Sequence, residues 1–180
     1  DPFADHDNNT LTSLKLFDRL KDIKNLKKIV YAAAACAVAE KTYDKPKATT
    51  EEQPVTLYHD SPYSISKIIG ELYGNYYFQQ HKLPFVKARF SNVYGPNSYR
   101  KTNIIPNFIN KALKNVNCEI FGDGNQSRDF LYIDDLLDGV LKSINPPLVV
   151  PPNNNSPEFS FPLLIEVSPF IFTTKILINL

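Results

Sequence analysis

Hydrophobic residues recur at helical spacing near the start of the chain. Leu11, Leu14, Phe17 and Leu20 fall on one face of the stretch Asn8 to Lys24, which predicts an amphipathic helix with Asn9 or Thr10 as its cap. The run Lys27 to Ala35 (KKIVYAAAA) is short and apolar, the pattern of a buried strand in a parallel sheet. Glu40 to Asp60 is polar and carries Pro46 and Pro54, so it reads as a loop. Ser61 to Lys82 predicts the longest helix, with Ser61 as cap and Pro62 in the first turn. A strand over Phe85 to Phe90 follows, then a loop with Gly95 and Pro96, then a helix over Asn103 to Lys114 with Pro106 in its first turn. Cys118 to Phe121 and Asp129 to Ile133 read as short strands around the turn Gly122-Asp123-Gly124-Asn125. A last helix runs from Asp134 to about Ile144. Alternation of strands and helices argues for an α/β sheet with helices on its faces.

Beyond Asn145 the pattern changes. Asn145-Pro146-Pro147 and Pro151-Pro152-Asn153-Asn154-Asn155 have linker composition. The last twenty residues are strand-like without an evident partner, and a genuine element and an unrelated tail both stay open. The stretch Phe159 to Leu180 is interrupted by Pro162, Glu166, Pro169 and Lys175, which makes it a poor membrane span.

Composition narrows the class. A chain of 180 residues, 43% hydrophobic and 22% charged, is ordinary for a soluble domain with a core. A net charge of +1 argues against nucleic-acid and membrane partners. Lys21, Lys24, Lys27 and Lys28 cluster beside a predicted helix end, where cations suit the dipole. Cys36 and Cys118 have neither disulfide nor metal spacing, so no metal is expected and a cytoplasmic location is. The chain has no methionine and only six glycines, the profile of a piece of a longer reading frame.

The candidate chemistry lies in SPYSISKIIGE, where Tyr63 and Lys67 are four residues apart and share a helix face. A free phenol has a pKa of about 10. A neighbouring ammonium favours the phenolate, and such a pair can take a proton from a sugar hydroxyl as hydride leaves its carbon.

SPYSISKIIGE, VKARFSNVYGP and RDFLYIDDL, with NNTLTSLKLF and KKIVYAAAACAVAE before them, together resemble the extended short-chain dehydrogenase/reductase family. The likeness is to its NAD-dependent sugar-nucleotide epimerases and dehydratases, of the UDP-glucose 4-epimerase kind, and runs from Asp1 to Ile144. It implies a partial Rossmann-type doubly wound parallel sheet lacking its N-terminal dinucleotide-binding strands, with part of a small C-terminal substrate lobe. On that reading residues 1–100 are the partial Rossmann core. Residues 101–145 belong to the substrate lobe and returning helix, and 146–180 are a Pro/Asn-rich linker and atypical tail. The resemblance also implies roles. Tyr63 is the catalytic base; Lys67 is its partner and holds the nicotinamide ribose. Asn9 supports the lysine, and Asn92 and Arg128 contact the substrate diphosphate, for which a guanidinium fork is suited. NAD is the implied cofactor, with NADP open, a nucleotide sugar the substrate, and a homodimer the assembly of the intact protein.

The chain departs from the family in two places. A serine or threonine expected after the first strand is replaced by Ala34, and loss of one positioned donor costs a factor of about 10² or more. Ser64 is one candidate substitute; Cys36 is nearby, but a thiol bonds weakly. The dehydratase signature Thr-Asp-Glu is replaced by Ala34-Ala35-Cys36, which favours epimerisation through a keto intermediate over loss of water. No glycine-rich dinucleotide loop occurs in these 180 residues, so this chain alone is expected to be inactive. Gly70 and Gly74 fall inside the long helix and suit close helix packing, a dimer seam included, rather than phosphate binding. Asp134 and Asp135 read as helix-start carboxylates. Two further readings stay open: a non-catalytic truncated or degenerate relative, and an NAD(P)H-dependent reductase of a sugar or small carbonyl compound.

Overall fold

The structure, a computed structural model, describes residues 1–37, 55, 57–124, 128–144 and 164–166. Most of the expected loop over Glu40–Asp60, Asn125 of the expected turn, the Pro/Asn-rich stretch and most of the tail lie outside the described residues. Helices α1 (Pro2–Asp5) and α2 (Thr12–Leu20) are joined by a π-helical segment, His6–Leu11. Then come strand β1 (Ile29–Ala34), a 3-10 turn (Ala35–Ala37) and helix α3 (Pro62–His81). Strands β2 (Phe85–Phe90) and β3 (Asn92–Tyr94), helix α4 (Ile104–Leu113), strand β4 (Phe130–Tyr132), helix α5 (Ile133–Ile144) and strand β5 (Leu164–Glu166) complete the order.

Among the described residues, all strand pairs are parallel. One sheet has the order β1-β2-β5 and a second joins β3 to β4. The chain is therefore α/β with parallel strands, as its alternating pattern predicts. It divides into two compact units. Among the described residues, the first holds Asp1–Phe90, the end of α5 from Gly139 and β5; the second holds Ser91–Asp138.

The first unit is a β1-α3-β2 crossover with the N-terminal helices packed on α3. Its core centres on Phe17, Tyr77, Leu83 and Phe85, with Tyr31 and Tyr73 packed against it. Phe17 meets Phe85 edge-on at 5.2 Å and Tyr31 at 6.0 Å, geometries that aromatic quadrupoles favour. A Cβ at Gly70 would collide with the Tyr31 ring, and one at Gly74 with the Phe85 ring. These glycines thus bring α3 down onto its own sheet.

Two local expectations are corrected, and one left open for the tail is resolved. The N-terminal helix begins at Pro2, because the Asp1 carboxylate accepts from the Phe3 and Ala4 amides at 3.0 and 3.4 Å; Asn9 and Thr10 are interior, not caps. Cys118–Phe121 forms no strand: β4 pairs with β3 instead, and Ile120 and Phe121 are exposed. A third strand, β5, comes from the tail and pairs with β2. Among the described residues, no helix is long and apolar enough to cross a membrane.

Candidate active site

Local sequence sets the start of α3. Ser61 is extended (φ −153°, ψ 148°), and its hydroxyl accepts from the Ser64 amide at 3.2 Å, with Pro62 entering the first turn. This leaves Tyr63 in the first turn and Lys67 one turn later. Tyr63 is 44% exposed, so its phenol is open to a ligand.

Lys67 bridges helix and sheet. Its Nζ donates to the Ala32 carbonyl of β1 at 3.0 Å and lies 5.8 Å from the Tyr63 ring centre and 5.5 Å from that of Tyr31. The Tyr31 hydroxyl in turn donates to the Lys67 carbonyl at 3.4 Å. Asn9, in the π-helical segment, donates from Nδ2 to Ser66 Oγ at 3.0 Å, and Ser66 Oγ donates to the Tyr63 carbonyl at 2.8 Å. Widened turns of this kind recur at functional sites because they re-aim one side chain; here the side chain aimed at α3 is Asn9. Tyr63 and Lys67 therefore meet in the first unit, and Asn9 is linked to Tyr63 through Ser66.

The electrostatics differ from expectation. Burial raises the Tyr63 phenol above its ordinary pKa, and the Cys36 thiol and Asp5 carboxylate push it the same way. Burial lowers the Lys67 ammonium, with Cys36 opposing. The expected acidification of Tyr63 by Lys67 is thus not achieved by these side chains: the ammonium is engaged with a carbonyl, and burial dominates. Asp5, Cys36 and Ser66 are the neighbours that sequence reasoning missed or undervalued. Cys36 sits in the turn directly after β1, and that position was its available signal.

Ala34 is buried at the end of β1. Ser64 does not replace the missing donor, because its own hydroxyl donates to the Ser61 carbonyl at 2.8 Å and is 1% exposed. Glu71, one turn beyond Lys67, is buried and takes both Arg89 Nε (2.9 Å) and Nη2 (2.6 Å), with Lys87 Nζ at 4.0 Å. This ion cluster fastens the helix that carries Tyr63 and Lys67 to β2.

Asn92 and Arg128 lie in the second unit. The Asn92 side chain donates to the Asp129 carbonyl at 3.1 Å, and Ser91 Oγ donates to the same oxygen at 2.7 Å. Parallel pairing of Asn92 with Phe130 puts Arg128 two residues before that pair, so both residues gather where β3 and β4 begin. Asp134 and Asp135 occupy the first turn of α5, consistent with their reading as helix-start carboxylates. Among the described residues, no group of three or more His, Cys, Asp or Glu could hold a metal ion.

Comparison with known proteins points one way. The model of the NAD dependent epimerase/dehydratase family matches residues 1–154. A putative UDP-glucose 4-epimerase of Methanocaldococcus jannaschii is 34% identical over 146 residues, which is 80% of this chain and 46% of that protein. A dTDP-D-glucose 4,6-dehydratase of Dictyostelium discoideum is 34% identical over 137 residues, covering 73% and 31%. Among solved structures, UDP-glucuronic acid 4-epimerase from Bacillus cereus, in complex with UDP-glucuronic acid and NAD, superposes with a TM-score of 0.72 at 27% identity, covering 91% of this chain and 46% of that one. The Bordetella bronchiseptica enzyme WbmF, in complex with NAD+, gives 0.66 at 43% identity, covering 81% and 44%. The chain spans less than half the length of each of these relatives.

Proposed function

Because this chain belongs to the NAD dependent epimerase/dehydratase family, we propose that the whole protein interconverts nucleotide-diphosphate sugars by NAD-dependent epimerisation, with Tyr63 as base and Lys67 as its partner. The observation that carries this reading is a half-exposed phenol and an ammonium one helical turn apart, beside the C-terminal end of a parallel strand. Ligands of open α/β sheets bind at that end of the strands. The end of β1 carries the small residues Ala32, Ala33 and Ala34.

These residues fit the nicotinamide-ribose end of a dinucleotide: the Tyr63 hydroxyl and Lys67 Nζ are donors that suit ribose hydroxyls. NAD, when bound, would supply a reversible two-electron acceptor for hydride from the sugar carbon. Tyr63 Oη receives the hydroxyl proton as the sugar becomes a ketone, and gives it back after the keto sugar has turned. Lys67 would offset the charge of the phenolate, a task for which its Nζ must turn toward Tyr63 from the Ala32 carbonyl it now holds at 3.0 Å. Asn9 positions the first turn of α3 through Ser66. Asn92 and Arg128 are proposed diphosphate contacts. Epimerisation is favoured over dehydration because Ala34-Ala35-Cys36 offers no carboxylate, although Asp5 lies close enough to act electrostatically on Tyr63. Because the chain carries no glycine-rich loop, the 180 residues alone are proposed to be inactive.

We also propose that the intact protein is a homodimer. Leu16 of α2 and Ile65, Leu72 and Tyr76 of α3 are each about half exposed, and the three α3 positions form one stripe at intervals of seven and four residues. A second functional reading, a relative that has lost catalysis, is favoured by buried Ala34 where a hydroxyl donor is expected and by a phenol shifted away from ionisation.

The test uses the whole protein with UDP-glucose, UDP-glucuronic acid and dTDP-glucose, followed by proton NMR at sugar C4. Interconversion of C4 epimers without net NADH production is expected. Net consumption of NAD(P)H with a keto substrate would replace the epimerase by a reductase, and absence of any turnover would favour the non-catalytic reading.

A further inference from the structure

Charge in the second unit is unevenly placed. Between Arg89 and Glu119 there is no acidic residue, and the cations in that interval are Arg100, Lys101, Lys111 and Lys114. All four line one cleft of about 380 Å³ between segment 99–102 and α4, together with Thr102, Asn107 and Asn110. The segment is fastened there: Asn110 Nδ2 donates to the Tyr99 carbonyl at 3.1 Å, and the Arg100 guanidinium lies over the Tyr99 ring at 5.7 Å. Lys111 and Lys114 alone would be explained by the negative end of the α4 dipole. Arg100 and Lys101, on a separate segment converging on the same space, are not.

We propose that this cleft is an anion site for a diphosphate or triphosphate group. Four cations bring charge to match a polyphosphate, charge-assisted bonds to phosphate oxygens are the strong kind, and amide and hydroxyl groups offer further donors. The volume suits a group of that size up to a nucleotide. The site is separate from the Asn92 region: a hollow there is lined by Ile105 and Pro106, whereas the basic cleft uses Asn107, Asn110, Lys111 and Lys114. At about 100° per residue, Ile105 and Asn107 point to opposite sides of α4. The proposal does not depend on the epimerase reading.

The test titrates the 180-residue chain with inorganic pyrophosphate and, separately, with ADP, following backbone amides by NMR. A saturable set of shifts at residues 99–102 and 107–116 is expected, separate from any near Asn92 and Arg128. They should weaken about tenfold or more in K111Q/K114Q and in R100Q, weaken as NaCl screens the charges, and persist in R128Q. Tighter binding of ADP than pyrophosphate would identify a nucleotide as the occupant; equal binding would identify the phosphate groups alone. Absence of saturable shifts in this cleft, shifts that vanish in R128Q, or affinities unchanged in both K111Q/K114Q and R100Q would overturn it. The variants alter exposed or half-exposed side chains, and circular dichroism confirms that each is folded.

Discussion

Glu71→Ala is the most informative perturbation of the scaffold. Glu71 and Arg89 are 2% and 5% exposed and joined by two bonds, and Lys87 at 4% faces the same carboxylate. Burial already pushes the Lys87 ammonium below its ordinary value, and Glu71 opposes that. Removing the carboxylate leaves a guanidinium and an ammonium with their shared anion gone. Breaking a buried pair from one side costs about 3–5 kcal/mol. For a chain of this size each kcal/mol lowers Tm by roughly 2–4 °C, so a fall on the order of 10 °C follows. Urea unfolding monitored by circular dichroism measures the loss. The triple variant E71L/K87M/R89M separates charge from packing, because apolar replacement of a whole buried ion cluster is often neutral or stabilising; it should return to within about 1 kcal/mol of the native chain. If Glu71→Ala costs less than about 1 kcal/mol, the cluster is hydrated in solution and does not hold α3 to β2.

Gly74→Ala gains helix propensity of up to about 1 kcal/mol. It also forces a methyl into the fully buried Phe85 ring, which costs about 1–3 kcal/mol, so a net loss is expected in the same unfolding assay. Asp18 is held below its ordinary pKa of 3.8, first by its bond to Lys21 and then by that to Tyr77. Its stabilisation is therefore complete above 3.8 and lost as pH falls through the lowered folded value; the stability gap between native chain and Asp18→Asn should close in that window, and a gap that widens there would contradict it. Ultraviolet difference titration of native chain against Tyr63→Phe should show one phenol ionising above pH 10, the direction its burial dictates; a midpoint below 10 would mean that Lys67 outweighs burial after all.

Much of the scaffold is legible in single residues. Ser61-Pro62 announces α3, and the apolar run Ile29–Ala34 marks β1, because caps and buried strands are local or nearly local signals. Tyr63 and Lys67 are legible for the same reason: four residues on a helix fix their common face. What the pattern hides depends on partners distant in sequence. Cys118–Phe121 has strand composition yet pairs with no strand among the described residues, and strand propensity counts only in context. Lys87 and Arg89 alternate with apolar neighbours as if facing water, yet Glu71 draws them inside. The π-helical segment leaves the spacing of Leu11, Leu14 and Phe17 unchanged while aiming Asn9 at Ser66. Ion-pair reasoning gives the Tyr63 shift the opposite direction because the desolvation that burial imposes is not visible in the sequence.

The central claim is that the Tyr63 phenol carries the proton of a nucleotide sugar with Lys67 beside it. Steady-state epimerisation by the whole protein, compared with its Tyr63→Phe variant, tests this most directly. Loss of general acid–base catalysis should lower kcat by about 10²–10⁴-fold while the variant still binds the nucleotide sugar. A Tyr63→Phe protein that turns over at the native rate would contradict the account.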